Sequence, residues 1–362
     1  VDKAAPTAAI QASISQTLWQ RILSGITFGL VSNSSIQVRM SAEDSLCEID
    51  RIEYIKLNRP IEATSDSDLA AILATRTDWG THRLSFKNNE ARIELFHDED
   101  ERFVYYLRAY DMAGNVYYAN SDGMMVDRTN VLETLQPLVS VAPVQQPVND
   151  IYRTDVDVLI KAIDPEVGGT FSSLKEVRYE VFSQGVATAA PVVLHIFILD
   201  APTLDQIEAN QSFETVVRVP AAQNNSNQVV VVATATDRAG NVTVASTEFK
   251  IDITPPAISV SYSNNDVRNG QYFKAPRVAT ISVRERNFDP KGAKISTNGS
   301  VGGWTNVGGE GDDTLWTCQI SFASDNDYTL DVSVTDLAGN VSGAVDYGGS
   351  AAPTKFTVDL TK

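Results

Sequence analysis

One seven-residue phrase, written three times, limits what this chain can fold into more than any other feature. Tyr110-Asp111-Met112-Ala113-Gly114-Asn115-Val116 recurs as Thr236-Asp237-Arg238-Ala239-Gly240-Asn241-Val242 and as Thr335-Asp336-Leu337-Ala338-Gly339-Asn340-Val341. A second phrase follows each copy: Val126-Asp127-Arg128-Thr129, Ile251-Asp252-Ile253-Thr254-Pro255-Pro256 and Val358-Asp359-Leu360-Thr361. A fourth version, Val1-Asp2-Lys3-Ala4-Ala5-Pro6, opens the chain. Its aspartates are 125, 125 and 107 residues apart. Self-similarity at a fixed period signals one structural unit repeated in series. It predicts three modules, 1–128, 129–254 and 255–362. A chain that begins at Val1 and opens and closes on the same phrase is expected to be a piece of something longer.

Within a module, β-rich runs follow one another with turn signals every 8–15 residues. In the first they fall at 7–13, 35–40, 51–57, 83–87, 103–109 and 116–119. Short strands at that spacing, in modules of this size, predict antiparallel β-sandwiches. Helix is minor, expected at 68–74 behind Ser65-x-x-Asp68 and at 204–209 behind Thr203-x-x-Gln206. Both starts resemble capping boxes, and the two helices fall at equivalent places in their modules.

Asp-x-Ala-Gly-Asn is read as a type I turn whose glycine takes φ > 0 and closes a hairpin. Its aspartate accepts N–H groups two and three residues on, and only glycine occupies the left-handed position without a Cβ penalty. The structural turn residues are therefore Asp111, Gly114 and Asn115, then Asp237, Gly240 and Asn241, then Asp336, Gly339 and Asn340. The rival reading, a calcium loop, needs several acids at close alternating spacing, and this phrase brings one. In the second phrase Pro255-Pro256 fixes φ and holds the preceding residue extended, so modules are expected to join semi-rigidly. Asp127, Asp252 and Asp359 are read as capping groups or solvated charges, because no run of acids surrounds them. The competing reading makes Asp127, Asp252 and Asp359 interdomain calcium ligands, with Asp127 and Asp252 as the candidates.

The balance of 29 Lys+Arg against 46 Asp+Glu gives a net charge of −17. That excludes a protein that tracks nucleic-acid phosphates or an anionic membrane, and the longest apolar runs fall far short of a membrane span. Cys47 and Cys318 form no metal-ligand pattern and are expected to be small buried groups. Of the three histidines, His97 lies in the acidic run 97–101, His82 borders a strand, and His195 is expected to face solvent from one. No nucleophile motif accompanies them, so no catalytic residue is assigned. The acidic runs 97–101 and 310–313 read as loop charge. Trp79 and Trp304, each beside a glycine, are candidate sugar-stacking groups, with packing against a core as the default reading.

The phrases Thr335-Asp-Leu-Ala-Gly-Asn-Val341 and Phe356-Thr-Val-Asp-Leu-Thr361 resemble those of tandem bacterial immunoglobulin-like repeats in large Gram-positive surface proteins. The first module shares Ile26-Thr-Phe-Gly-Leu30, Ile52-Glu-Tyr-Ile55 and Ser121-Asp-Gly123 with one variety. The third shares Tyr262-Ser-Asn-Asn-Asp-Val-Arg-Asn-Gly270 and Thr280-Ile-Ser-Val-Arg-Glu-Arg-Asn-Phe-Asp-Pro290 with another. The resemblance implies three immunoglobulin-like sandwiches in an extended array, non-catalytic, on the surface of the cell or secreted. They would act as spacers or adhesive units, with a host or matrix protein or glycan as partner and no cofactor beyond calcium. The alternative is a carbohydrate-binding accessory region of a secreted glycan-degrading enzyme. The second module departs most from the pattern, around 192–199 and 224–227, and is expected to carry any specific ligand site.

Overall fold

A computed structural model describes residues 3–12, 15–19, 26–82, 90–128, 139–348 and 354–361. The strand expected at 83–87 lies outside the described residues. The fold is all-β, with six sheets that meet in pairs along the chain.

In the first pair, Ser15–Trp19, Thr7–Ala12, Ile36–Glu43 and Glu90–His97 form one sheet. The other runs Leu30–Ser32, Met124–Val126, Glu101–Asp111, Ile49–Leu57 and Gly80–His82, with Val116–Asn120 also on Glu101–Asp111. The second pair sets Val139–Pro143, Val156–Ile163 and Ser212–Val219 against a sheet centred on Leu174–Ser183, Val229–Asp237 and Val242–Ile251. The third sets Ala257–Tyr262, Arg277–Arg284, Leu315–Phe322 and Ser300–Gly308 against Tyr272–Phe273, Lys355–Val358, Asn326–Val334 and Ala293–Thr297. Neighbours are antiparallel except at one place per pair, where the exit strand lies parallel to a short one: Met124–Val126 on Leu30–Ser32, Ile251 beside Tyr152, and Val358 beside Phe273. The aspartate of the exit phrase follows at once, its N–H held by the carbonyl of Ser32, Tyr152 or Phe273.

Alternation builds the cores. Val156, Val158, Ile160 and Ala162 point inward from one strand, and Ala279, Ile281 and Val283 from another, as a period of two requires. Each such valine or isoleucine contributes roughly 1.5–3 kcal/mol on burial. Each pair of sheets closes on its own apolar cluster. At one end of the third, Arg277 is fully buried with its guanidinium 3.9 Å from the Tyr262 ring and 3.8 Å from Phe273, and its Nε donates to the Asn264 carbonyl at 2.8 Å. That explains why the 262–270 phrase mixes tyrosine with asparagines.

Glu101–Asp111 breaks the alternation, with Phe103 through Leu107 buried on both faces. The reason is α1 (Asp66–Thr75), which covers the outer face. Ser65 caps it by accepting from Asp68 N–H at 3.1 Å, and Leu69 and Leu73 are buried one turn apart. The second helix, α2 (Leu204–Ala209), begins in a capping box of Thr203 and Gln206, as the sequence predicts. Both helices enter one cluster with Phe28, Ile55, Tyr106, Met125 and Phe171, so residues of the first and second pairs of sheets share apolar cover. Phe28 sits there because Asp122 accepts from Thr27 N–H at 2.6 Å and Gly123 leaves no side chain in its way. A Cβ on Gly123 would lie 2.4 Å from the Phe28 ring. The resemblance residues 26–30 and 121–123 therefore form one interlocked feature.

Candidate functional site: buried carboxylates at two junctions

The three Asp-x-Ala-Gly-Asn turns are built alike. Gly114, Gly240 and Gly339 have φ of 88°, 92° and 89°. Each aspartate carboxylate accepts the asparagine N–H four residues on at 2.8 Å and the asparagine side-chain amide at 2.7–2.9 Å. Asp111 takes the Ala113 and Gly114 N–H groups as well, as expected. The same amide also reaches the incoming chain. Asn241 Nδ2 donates to the Asp127 carbonyl and Asn340 Nδ2 to the Asp252 carbonyl, each at 3.0 Å, while Asn115 Nδ2 holds Ala4. The turn thus clamps the segment that enters its own pair of sheets.

Those clamps gather acids. Asp127, Asp164 and Asp237 offer carboxylate oxygens within 4.8 Å of one another, and so do Asp252, Glu285 and Asp336. All six residues are buried. Each group joins one exit aspartate to two acids of the next pair of sheets, one of them from the Asp-x-Ala-Gly-Asn turn. Asp127 and Asp252 thus have acidic neighbours in space that the sequence places far away. Asp164 and Glu285 escaped the sequence reading, yet a positional signal marks them. Each directly follows the third described strand after its exit phrase, Val156–Ile163 or Arg277–Arg284, and Asp44 directly follows Ile36–Glu43 in the first pair of sheets.

The two groups differ in what faces them. At the first, Ser172 N–H donates to Asp127 Oδ2 at 2.8 Å. Asp164 Oδ2 accepts from Ser173 N–H at 2.6 Å and Ser172 Oγ at 3.2 Å, while Asp164 Oδ1 is buried without a hydrogen-bond partner. Burial, and then the charges of Asp127 and Asp237, push the Asp164 carboxyl up to about 8. Burial and Asp127 push Asp237 up to about 6. At the second, Arg286 Nη2 lies 3.0 Å from Asp252 Oδ1 and its Nη1 3.2 Å from Asp312 Oδ1. Asn287 Nδ2 takes Asp252 Oδ2, and Asn287 N–H donates to Glu285 at 2.7 Å. Burial, with Asp252 and Asp336 adding to it, pushes Glu285 up to about 7. Three like charges this close and this dry need protons or a cation to coexist.

The other expected residues lie apart from these groups. Asp359 is exposed and accepts from its neighbour Thr361 at 2.8 Å and 3.1 Å. Trp79 packs on the shared cluster with the Arg108 guanidinium 4.3 Å from its ring, and Trp304 packs on Phe288 at 4.8 Å. His195 is half-buried against Phe213 at 5.2 Å, not turned to solvent, because its strand lies over a half-buried face. His97 is buried beside Glu101, and Asp312 of the other acidic run reaches Arg286, so neither run is wholly solvated. Cys318 is buried, whereas Cys47 is only half-buried, in the bend that Asp44 holds. Among the described residues no helix is long and apolar enough to cross a membrane.

Exit aspartates clamped by glycine turns at the end of two-sheet sandwiches are features to compare with known proteins. Residues 5–128 match the bacterial Ig-like domain family. The match ends one residue past Asp127, beside the first group of acids. Among solved structures the chain is similar to a tetra-tandem repeat from the extending region of a large adhesion protein, at 14% identity over 99% of this chain and 76% of that one, with a TM-score of 0.40. It is also similar to a 1.5-MDa bacterial ice-binding adhesin, at 11% identity over 95% of this chain and 99% of that one, with a TM-score of 0.31. No curated protein matches.

Proposed function

We propose that this chain is a non-catalytic segment of an exported bacterial surface protein, three Ig-like sandwiches at 1–128, 129–254 and 255–362 joined into an extended spacer or adhesive rod. The observation that carries the reading is the repeated junction. The exit aspartate of one unit is buried in the acids and the asparagine clamp of the next. A spacer transmits position only when its joints are ordered, and both joints here are bonded through the backbone. The family match over 5–128 and the well-spread negative charge support the same reading. Its partner is a host or matrix protein or glycan outside the cell.

Small-angle scattering tests the rod. A compact globule of this length has a radius of gyration of about 21 Å. The expected value is well above that, and one near it would overturn the reading.

A further inference from the structure

The second pair of sheets has one strand whose far side is open. Val192–Ile196 pairs with Leu174–Ser183, and among the described residues no strand pairs with its other edge. The Lys175 carbonyl accepts Phe197 N–H at 2.8 Å and the Val181 carbonyl accepts Thr188 N–H at 2.9 Å, so the odd-numbered positions of Leu174–Ser183 face this strand. Val192 and His195 stand opposite two of them, Tyr179 and Val177. Val193 and Ile196 stand opposite Arg178 and Glu176, and the antiparallel pattern turns their N–H and carbonyl groups outward. Outward groups of this kind are a template for another strand.

The same stretch exposes its apolar side chains. Val193 is 51% exposed and Ile196 59%, and Val186, Val192, Ile198 and Leu199 are exposed as well. The strip is held at its end, where Arg238 Nη2 donates to the Leu199 carbonyl at 3.1 Å. Other edges are guarded by charge: Glu90–His97 carries Arg92 and Glu94, and Ser212–Val219 carries Glu214 and Arg218. From Gly185 to Leu199 there is no Asp, Glu, Lys or Arg. An apolar edge without such guards is a pairing surface.

Charge decides what fits it. Two copies of a chain of net charge −17 repel one another over most of their surfaces. The repulsion is least where a surface is apolar and uncharged, and a two-fold axis sets such a strip against itself. A strongly charged partner gains nothing there.

We propose that Val192–Ile196 joins two copies of this chain side by side, by antiparallel strand pairing across a two-fold axis, with Val193 of each copy opposite Ile196 of the other. The pairing goes beyond the spacer reading and does not rest on it.

Sedimentation velocity of the full chain over a concentration series tests it. One short edge and a small apolar strip make a weak interface, so a monomer–dimer equilibrium with Kd between about 1 μM and 1 mM is expected. Added salt should tighten it, because screening removes repulsion between like-charged copies. Val193→Lys and Ile196→Lys together should weaken association at least tenfold and leave Tm within about 2 °C, since both side chains are exposed. Val301→Lys, on the exposed strand Ser300–Gly308, should leave association unchanged. In the wild type the Val193 and Ile196 amides should exchange more slowly as concentration rises.

A chain still monomeric at about 1 mM would overturn the proposal and leave the edge to a strand of another protein. A dimer that survives the double substitution, one that Val301→Lys breaks, or one whose Val193 and Ile196 amides exchange at the monomer's rate would also overturn it. So would association that salt weakens, which marks a contact between opposite charges.

Discussion

The first junction sets its carboxylates beside a dry apolar cluster to which both sides contribute, Phe28, Leu69 and Met125 from one and Phe171 and Ile207 from the other. The second is polar throughout. Asn227 and Asn287 bond to each other at 2.9 Å and 3.0 Å, Asn149 reaches the Leu337 carbonyl at 2.8 Å, Arg153 reaches Gly339 at 2.7 Å, and Arg286 bridges Asn225 and Asp252. The same three acid positions thus sit in two environments. One supplies its own counter-charge and wide hydrogen bonding. The other supplies burial and no positive side chain to Asp164 or Asp237 among the described residues. A repeated backbone device can therefore be set against apolar cover in one place and among polar partners in another.

The sharpest way to break the comparison is Arg286→Ala. It leaves the acids of the second junction buried and uncompensated, at an expected cost of about 3–5 kcal/mol by urea unfolding. A variant as stable as the wild type would show that Arg286 compensates nothing. Ile207→Ala strikes the apolar side of the first junction and should cost about 2–5 kcal/mol, with the second junction unaffected by hydrogen exchange.

Gly123→Ala drives a methyl into Phe28 and should cost about 1–3 kcal/mol through overpacking of the shared cluster. Asn227→Ala removes one amide pair from the second junction and should cost only about 1 kcal/mol. A larger loss from Asn227→Ala than from Gly123→Ala would invert the expected ranking of the two junctions.

Much of this was legible in the chain. The repeat placed the glycine turns, and the caps at Ser65 and Thr203 placed both helices within two residues. Asp164 and Glu285 were not legible as site residues, because acids gathered in space are single residues along the chain. Asp127, Asp164 and Asp237 belong to segments far apart in the chain, and a search for local acidic runs passes over all three. Instead it finds 97–101 and 310–313, where His97 and Asp312 turn out to be held by neighbours. The shared apolar cluster was hidden for a related reason. The run from Phe103 to Leu107 is apolar without alternation, and only the docking of α1 shows what covers its second face. The family match ends one residue past Asp127, whereas the surroundings of Asp127 depend on acids contributed from further along the chain.

Hydrogen exchange at the two junctions, in the wild type and in Arg286→Ala, tests the central claim most directly. The reporters are the Ser172, Ser173 and Asn241 amides at the first, bonded to Asp127, Asp164 and Asp237, and the Asn287 and Asn340 amides at the second, bonded to Glu285 and Asp336. Arg286→Ala should lower protection of the second set at least tenfold and leave the first unchanged. Equal loss at both junctions, or no loss at either, would contradict the account.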